Sequence, residues 1–168
     1  MNRLLRFAVI VAGMLVLTAP VFAAENWPDS FTQYLMKVRK TVHTTDTAGY
    51  LAAVKNPNGA LIIDVRMPSE YKAGHVPGAV NIPRGLLEFR IWKQAGYPNK
   101  LDMNRRIYVQ CKTGGRATFA ARTLKDLGFT NVVAAIVNIE EWAKKGYPFV
   151  KPGSMQKKSS RPSGAKQG

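Results

Sequence analysis

Short apolar runs alternate along the middle of the chain with longer segments of mixed polarity. Residues 60–65 and 132–137 are apolar almost without interruption, which is typical of strands covered on both faces of a parallel sheet. Residues 107–109 are β-branched and aromatic and also predict a strand. After them, apolar positions recur at helical spacing, and the buried face of this helix is predicted to comprise Phe119, Ala120, Thr123, Leu124 and Leu127.

Two further helical stripes are predicted outside this central pattern. Residues 24–40 form an N-terminal helical extension, in which Asp29 and Ser30 can cap a helix. Its apolar face is predicted to comprise Phe31, Tyr34, Leu35 and Val38. A later helix after Gly85 is predicted to face the core with Leu86, Phe89 and Trp92.

The first residues have the pattern of a secretory signal peptide. Arg3 and Arg6 precede an apolar stretch at 7–17, and small residues precede Ala24, the first residue after the predicted cleavage site. The apolar stretch is shorter than the roughly 20 residues that span a bilayer. Residues 1–23 therefore predict export to the periplasm or secretion, with an uncleaved anchor as the alternative.

The chain contains a single cysteine, Cys111, in a polar and glycine-rich stretch. The stretch reads Cys111-Lys112-Thr113-Gly114-Gly115-Arg116 and lies between a predicted strand and a predicted helix. Free N–H groups at the start of a helix, together with two basic side chains, favour the thiolate form of a cysteine. Consecutive glycines allow N–H groups to turn inward around an anion. We therefore interpret Cys111 as a nucleophile, the alternative being a buried cysteine that only packs.

The spacing of the loop distinguishes two kinds of cysteine chemistry. In protein tyrosine phosphatases, the arginine that closes the phosphate loop lies one position further from the cysteine than Arg116 lies from Cys111. The shorter loop resembles that of the rhodanese family of sulfurtransferases. A phosphatase-like or arsenate-reducing enzyme remains an alternative that the spacing disfavours.

A second group of motifs supports the same resemblance. Residues 61–66 read LIIDVR, Glu70-Tyr71 follows, and residues 74–83 read GHVPGAVNIP, in the order found in rhodanese domains. The resemblance covers about residues 41–150. It implies a rhodanese-like α/β domain, with a central parallel sheet flanked by helices on both faces.

The resemblance also implies a mechanism. The Cys111 thiolate would take a sulfane sulfur from thiosulfate or a related donor and would pass it, as a persulfide, to cyanide or a thiol. Lys112, Thr113, Gly114, Gly115 and Arg116 would bind the substrate, and no cofactor or metal would be required. The alternative is a non-catalytic binding module or a persulfide carrier for a periplasmic partner.

Asp64, Arg66 and His75 are the other candidates for the site. Asp64 and Arg66 follow a buried run at the carboxyl end of a strand, where sites form in open α/β sheets, so they could border the pocket. They could equally fix the following loop. His75 lies between Gly and Pro residues, which favours a loop-fixing hydrogen bond over pairing with Cys111 in a hydrolase. Two histidines and one cysteine do not have the spacing of a zinc site.

The composition is strongly basic, with 25 Lys and Arg against 10 Asp and Glu and a formal net charge of +15. Such a charge favours small anions as substrates. Residues 151–168 are rich in Pro, Gly, Ser, Lys and Gln and predict a disordered basic tail. The tail could contact an acidic protein or a membrane surface. Predicted export and the lack of a basic-aromatic motif argue against nucleic acid as a partner.

Overall fold

The computed structural model describes residues 27–152, which contain one five-stranded sheet whose neighbouring strands are all parallel. The strands are β1 (His43–Thr45), β2 (Leu61–Asp64), β3 (Val80–Asn81), β4 (Ile107–Gln110) and β5 (Val132–Ala135). Their order across the sheet is β1-β5-β4-β2-β3. The predicted central parallel sheet is confirmed.

Helices cover both faces of the sheet. They are α1 (Asp29–Arg39), α2 (Thr47–Lys55), α3 (Pro68–Lys72), α4 (Leu87–Gln94), α5 (Gly115–Asp126) and α6 (Ile139–Lys144). Successive strand residues point to opposite faces, and Ile63 accordingly packs in one core cluster while Ile62 packs in another. The first cluster includes residues of α4 and α5, and the second includes Tyr50 of α2 and Trp142 of α6.

The register of the central strands brings two polar segments to one edge of the sheet. Asp64 at the end of β2 pairs in register with Gln110 at the end of β4. Because parallel strands end at the same edge, the chain after Asp64 and the loop that begins at Cys111 lie side by side. This edge contains the candidate site.

The predicted core face of the helix after Gly85 is confirmed for Trp92, which is partly buried against the core, and is wrong for Leu86 and Phe89, which are exposed. Arg84–Leu86 form a 3-10 turn, α4 begins at Leu87, and Leu87 and Ile91 are fully buried. Phe89 is 80% exposed. Two apolar stripes overlap in this segment. The path of the chain through the 3-10 turn places the stripe that contains Leu87 against the core.

Helix α1 packs on α5. The ring of Tyr34 stacks on that of Phe119 with centroids 5.6 Å apart, and Arg39 Nε donates to Thr118 Oγ1 at 3.4 Å. Val38 is buried, as its place on the predicted apolar face requires, whereas Tyr34 remains more than half exposed. These contacts hold α1 in place beside the start of α5.

The predicted signal peptide at 1–23 lies outside the described residues, and so does all of the predicted basic tail after Pro152. Within residues 27–152, no helix has the length and apolar character needed to cross a membrane.

Candidate active site

The Cys111 side chain lies where β4 ends and α5 begins. The backbone N–H groups of Gly114 and Ala117 donate to its Sγ at 3.2 and 3.4 Å. Only 1% of the residue is exposed, yet it forms part of the lining of a surface pocket. N–H groups at the start of a helix carry partial positive charge, so an anion bound at this position would receive the same two donors.

Gly114 is required by the shape of this loop. Its φ of +92° lies in the left-handed region, and a Cβ added there would lie 3.1 Å from the Cα of Ile136. A larger residue would therefore be strained and would also press on the backbone that follows β5. Glycine allows the N–H of this residue to reach Sγ.

The two basic side chains of the loop are both held in ion pairs. Arg116 makes a bidentate contact with Glu70, at 2.7 Å (Nη1 to Oε2) and 2.8 Å (Nη2 to Oε1). Lys112 Nζ lies 3.0 Å from Glu140 Oε1. The hydrogen bonds from Arg116 lower the pKa of Glu70 to about 2, and the same contact raises the pKa of Arg116. The loop therefore presents less uncompensated charge than its sequence indicates.

The pocket above Cys111 has a volume of about 860 Å³. Thr113 and Gly115 contribute to its lining together with Cys111, Lys112 and Arg116, so the structure brings these residues of the predicted loop to one site. Further lining comes from Phe119 and Asn138 and from four residues at or near α1, which are Trp27, Phe31, Leu35 and Arg39. The pocket is of a size that holds small organic ligands.

Asp64 and Arg66 form a buried ion pair next to this site. Arg66 Nη2 lies 2.6 Å from Asp64 Oδ2 and also donates to the carbonyl of Gly74 at 2.8 Å. Gln110 Nε2 donates to the same carboxylate oxygen at 2.7 Å. Neither Asp64 nor Arg66 is among the described residues that line the pocket of Cys111. Arg66 lines a neighbouring cleft of about 430 Å³, and Lys112 lines both the cleft and the pocket. The pair therefore joins β2, β4 and the Gly74 loop.

His75 belongs to the same supporting structure. Its ring stacks on Tyr71 with centroids 3.8 Å apart, its Nδ1 lies 3.1 Å from the Tyr71 carbonyl oxygen, and its backbone pairs with Val150. These contacts hold the loop. His75 is not among the described residues that line the Cys111 pocket. Among residues 27–152, no group of three or more His, Cys, Asp or Glu is arranged to hold a metal ion.

The family comparison agrees with this geometry. The model of the rhodanese-like domain matches residues 47–145, which is more than half of the chain. The chain belongs to the rhodanese-like domain family. The matched segment contains the Cys111 loop and the Asp64–Arg66 pair, so both regions belong to the rhodanese-like domain itself.

Relatives of this rhodanese-like domain include sulfurtransferases. The thiosulfate sulfurtransferase PspE of Escherichia coli is 29% identical over 123 residues, covering 73% of this chain and 80% of PspE. The polysulfide-sulfur transferase homodimer of Wolinella succinogenes has a TM-score of 0.60 at 25% identity, covering 74% of this chain and 90% of that one. These similarities support sulfur transfer as the general class of activity and a sulfurtransferase-type transferase as the class of enzyme.

A third relative is longer than this chain. The Bacillus subtilis protein YrkF, which carries the name of a sulfur carrier protein, is 39% identical over 84 residues. The match covers 50% of this chain but only 42% of YrkF. The similarity therefore concerns less than half of YrkF.

The apolar pattern of α1 does not predict that this helix lines the pocket. The pattern predicts that Phe31 and Leu35 only pack, and it gives no role to Arg39, whereas all three residues line the pocket. These residues precede the family match, which begins at residue 47. The signal that was available is their spacing, because Phe31, Leu35 and Arg39 are four residues apart and therefore share one side of a helix.

Proposed function

We propose that this protein is a sulfurtransferase that moves a sulfane sulfur from thiosulfate or a related donor to cyanide or a thiol through a persulfide on Cys111. The observation that carries this proposal is the position of Cys111 Sγ, which receives two backbone N–H groups and lines the pocket. The family and its sulfurtransferase relatives support it.

The first half-reaction loads the cysteine. The Cys111 thiolate attacks the outer sulfur of thiosulfate, a new S–S bond forms, and the bond to the sulfonate sulfur breaks. Sulfite leaves with the bonding electron pair, and the enzyme retains Cys111–S–S⁻. Backbone N–H groups around the loop stabilise the anionic persulfide without having to reorganise.

The second half-reaction unloads the sulfur. A thiolate or cyanide attacks the outer sulfur of the persulfide, the S–S bond to Cys111 breaks, and the cysteine thiolate is regenerated. Lys112 and Arg116 lie beside the entering and leaving anions, and we assign them to substrate binding. Since both are in ion pairs with carboxylates, they act as oriented donors more than as free charges.

The alternative is a persulfide carrier that delivers sulfur to a protein partner. The similarity to YrkF supports this alternative, because YrkF carries the name of a sulfur carrier protein. A carrier would load Cys111 but would turn over slowly with small acceptors. The predicted signal peptide would place either function in the periplasm or outside the cell, and the predicted basic tail would be the contact for an acidic partner or membrane surface.

The deciding experiment is the intact mass of the protein before and after thiosulfate, with sulfite measured in parallel. We expect a gain of about 32 Da, one sulfur atom, together with sulfite release and only when Cys111 is present. Cys111→Ser is the control. If neither thiosulfate nor a polysulfide modifies Cys111, the proposal is wrong. Rapid turnover with cyanide or thiols indicates an enzyme, and loading without turnover indicates a carrier.

A further inference from the structure

Helix α1 forms an apolar and basic wall on the pocket of Cys111. Phe31, Leu35 and Arg39 all line the pocket, and their spacing of four residues places them in one row along the helix. Phe31 and Leu35 are only partly buried, so their side chains are available to a ligand. Leu35 also lies next to the Cys111 loop, because a Cβ added to Gly115 would be 3.8 Å from Leu35 Cδ2.

Arg39 differs from the other two cations that line the pocket. Lys112 and Arg116 face Glu140 and Glu70, respectively. The polar contacts of Arg39 are the hydroxyl of Thr118, at 3.4 Å from Nε, and the sulfur of Met36, at 4.0 Å from Nη1. Within residues 27–152, no carboxylate lies at ion-pair distance from its guanidinium.

The position of Arg39 in the last turn of α1 would be favourable for any cation, because of the helix dipole. That effect does not require the side chain to face a pocket. Lys37 lies in the same turn and is exposed, but it does not contribute to this lining. The location of Arg39 on the row with Phe31 and Leu35 therefore points to a ligand.

The size of the pocket also exceeds what the donor needs. Thiosulfate is a small inorganic anion, whereas a volume of about 860 Å³ is in the range of sites for organic molecules. An apolar wall contributes nothing to binding thiosulfate or cyanide. It stabilises the carbon skeleton of a larger molecule by removing it from water.

We propose, on the basis of the sulfurtransferase function above, that α1 binds the sulfur acceptor and that this acceptor is an organic thiol carrying a carboxylate or sulfonate. The anionic group pairs with Arg39, the carbon skeleton lies on Phe31 and Leu35, and the thiolate faces Cys111. The thiolate attacks the outer sulfur of Cys111–S–S⁻, a new S–S bond forms, and the S–S bond to Cys111 breaks, so that R–S–S⁻ departs as the product and the Cys111 thiolate is regenerated. No oxidant or reductant is consumed.

The test measures unloading of the full-length protein after Cys111 has been loaded with polysulfide. Three acceptors are compared: mercaptoethanol, which is small and has no carboxylate; mercaptopropionate, which adds the carboxylate; and para-carboxybenzyl thiol, which adds an aromatic ring. The variants are Arg39→Gln, Arg39→Lys and Phe31→Ala, with Lys37→Gln as the matched control on the same helix. Each rate constant is expressed relative to that of the unaltered protein, which removes differences in intrinsic thiol reactivity.

We expect Arg39→Gln to lower the second-order rate constant of unloading about 10-fold for the two carboxylates, mainly through weaker binding of the acceptor, because a charge-assisted contact is lost. The value for mercaptoethanol should stay within about twofold, and Arg39→Lys should restore part of the loss. Phe31→Ala should affect only the aromatic thiol, by about fivefold. Lys37→Gln should change nothing.

Two results would overturn the inference while leaving the proposed function intact. One is an equal effect of Arg39→Gln on all three acceptors, which would indicate a structural role through Thr118. The other is the absence of any effect. Failure of Cys111 to load is a different result, because it would overturn the proposed function and this inference together. Circular dichroism of each variant establishes that α1 is still formed.

Discussion

Two neighbouring segments at the same edge of the sheet use their polar groups in opposite ways. After β2, the Asp64 carboxylate is enclosed by Arg66 and Gln110 and is fully buried. After β4, the N–H groups of the Cys111 loop converge on a sulfur that lines a pocket. The first segment satisfies its charges within the protein, and the second directs its donors at the sulfur of the proposed nucleophile. Position at the sheet edge alone does not distinguish a supporting segment from one that carries a proposed nucleophile.

The largest expected difference between the two segments is in activity. Cys111→Ser should reduce sulfur loading to background, because the hydroxyl is a far weaker nucleophile than a thiolate. The free energy of unfolding should change by no more than about 1 kcal/mol, since the serine oxygen can accept the same N–H groups. Mass spectrometry and denaturant unfolding measure the two quantities. Loading that persists in this variant would remove Cys111 from the mechanism.

Asp64→Ala should instead leave sulfur loading at Cys111 intact and lower the free energy of unfolding by about 3 to 5 kcal/mol. The variant leaves the Arg66 guanidinium buried without its carboxylate. Denaturant unfolding measures the loss.

The control is the double variant Asp64→Leu with Arg66→Met, which removes both charges and should be more stable than Asp64→Ala. If Asp64→Ala were stable but unable to load sulfur at Cys111, the segment after β2 would take part in the chemistry, and the contrast between the two segments would fail.

Gly114→Ala tests whether the shape of the Cys111 loop serves its chemistry. The positive φ and the close approach to Ile136 should together cost about 1 to 3 kcal/mol of stability. Displacement of the N–H group from Sγ should also slow sulfur loading about 10-fold.

The matched control is Gly59→Ala, which has a φ of +78° but no neighbour within 4 Å of the added Cβ. It should show only the cost of backbone strain, with normal loading. Equal effects of both variants on loading would mean that the loop geometry at Gly114 is not specific to the reaction.

The smallest expected effect concerns the ion pair that links the two segments, Glu70 with Arg116. The pKa of Glu70 falls from 4.5 to about 2 in the folded protein, mainly because of hydrogen bonds from Arg116. Its contribution is therefore present above pH 4.5 and is lost as the pH falls towards 2. Because both side chains are about one-third exposed, we expect less than about 1 kcal/mol.

Unfolding free energies of the unaltered protein and Glu70→Gln, measured across this pH range, give the contribution as their difference. The two curves should converge at the acid end. A difference that grows as the pH falls would have the wrong sign for this ion pair.

Much of the fold and part of the site could be predicted because their signals are local. The apolar runs at 60–65 and 132–137 predicted buried parallel strands, since a strand covered on both faces needs apolar residues at every position. The prediction is wrong for Leu86 and Phe89, because two apolar stripes overlap in this segment. Choosing between Phe89 and Leu87 requires the path of the chain before the helix, which is a tertiary property.

The parallel α/β architecture and the Cys111 loop follow from local patterns in the sequence. The apolar runs indicate the buried strands, and in the loop a strand end, a glycine turn and a helix start are contiguous, so their N–H groups meet the residue between them. The partners of the charged side chains, by contrast, depend on the tertiary structure. Arg116 meets Glu70, and Gln110 meets Asp64, across 46 residues of chain in each case. Likewise, Arg39 reaches the pocket of Cys111 only because α1 packs on α5. Contacts between distant segments depend on which surfaces bury each other, and no local pattern encodes that choice.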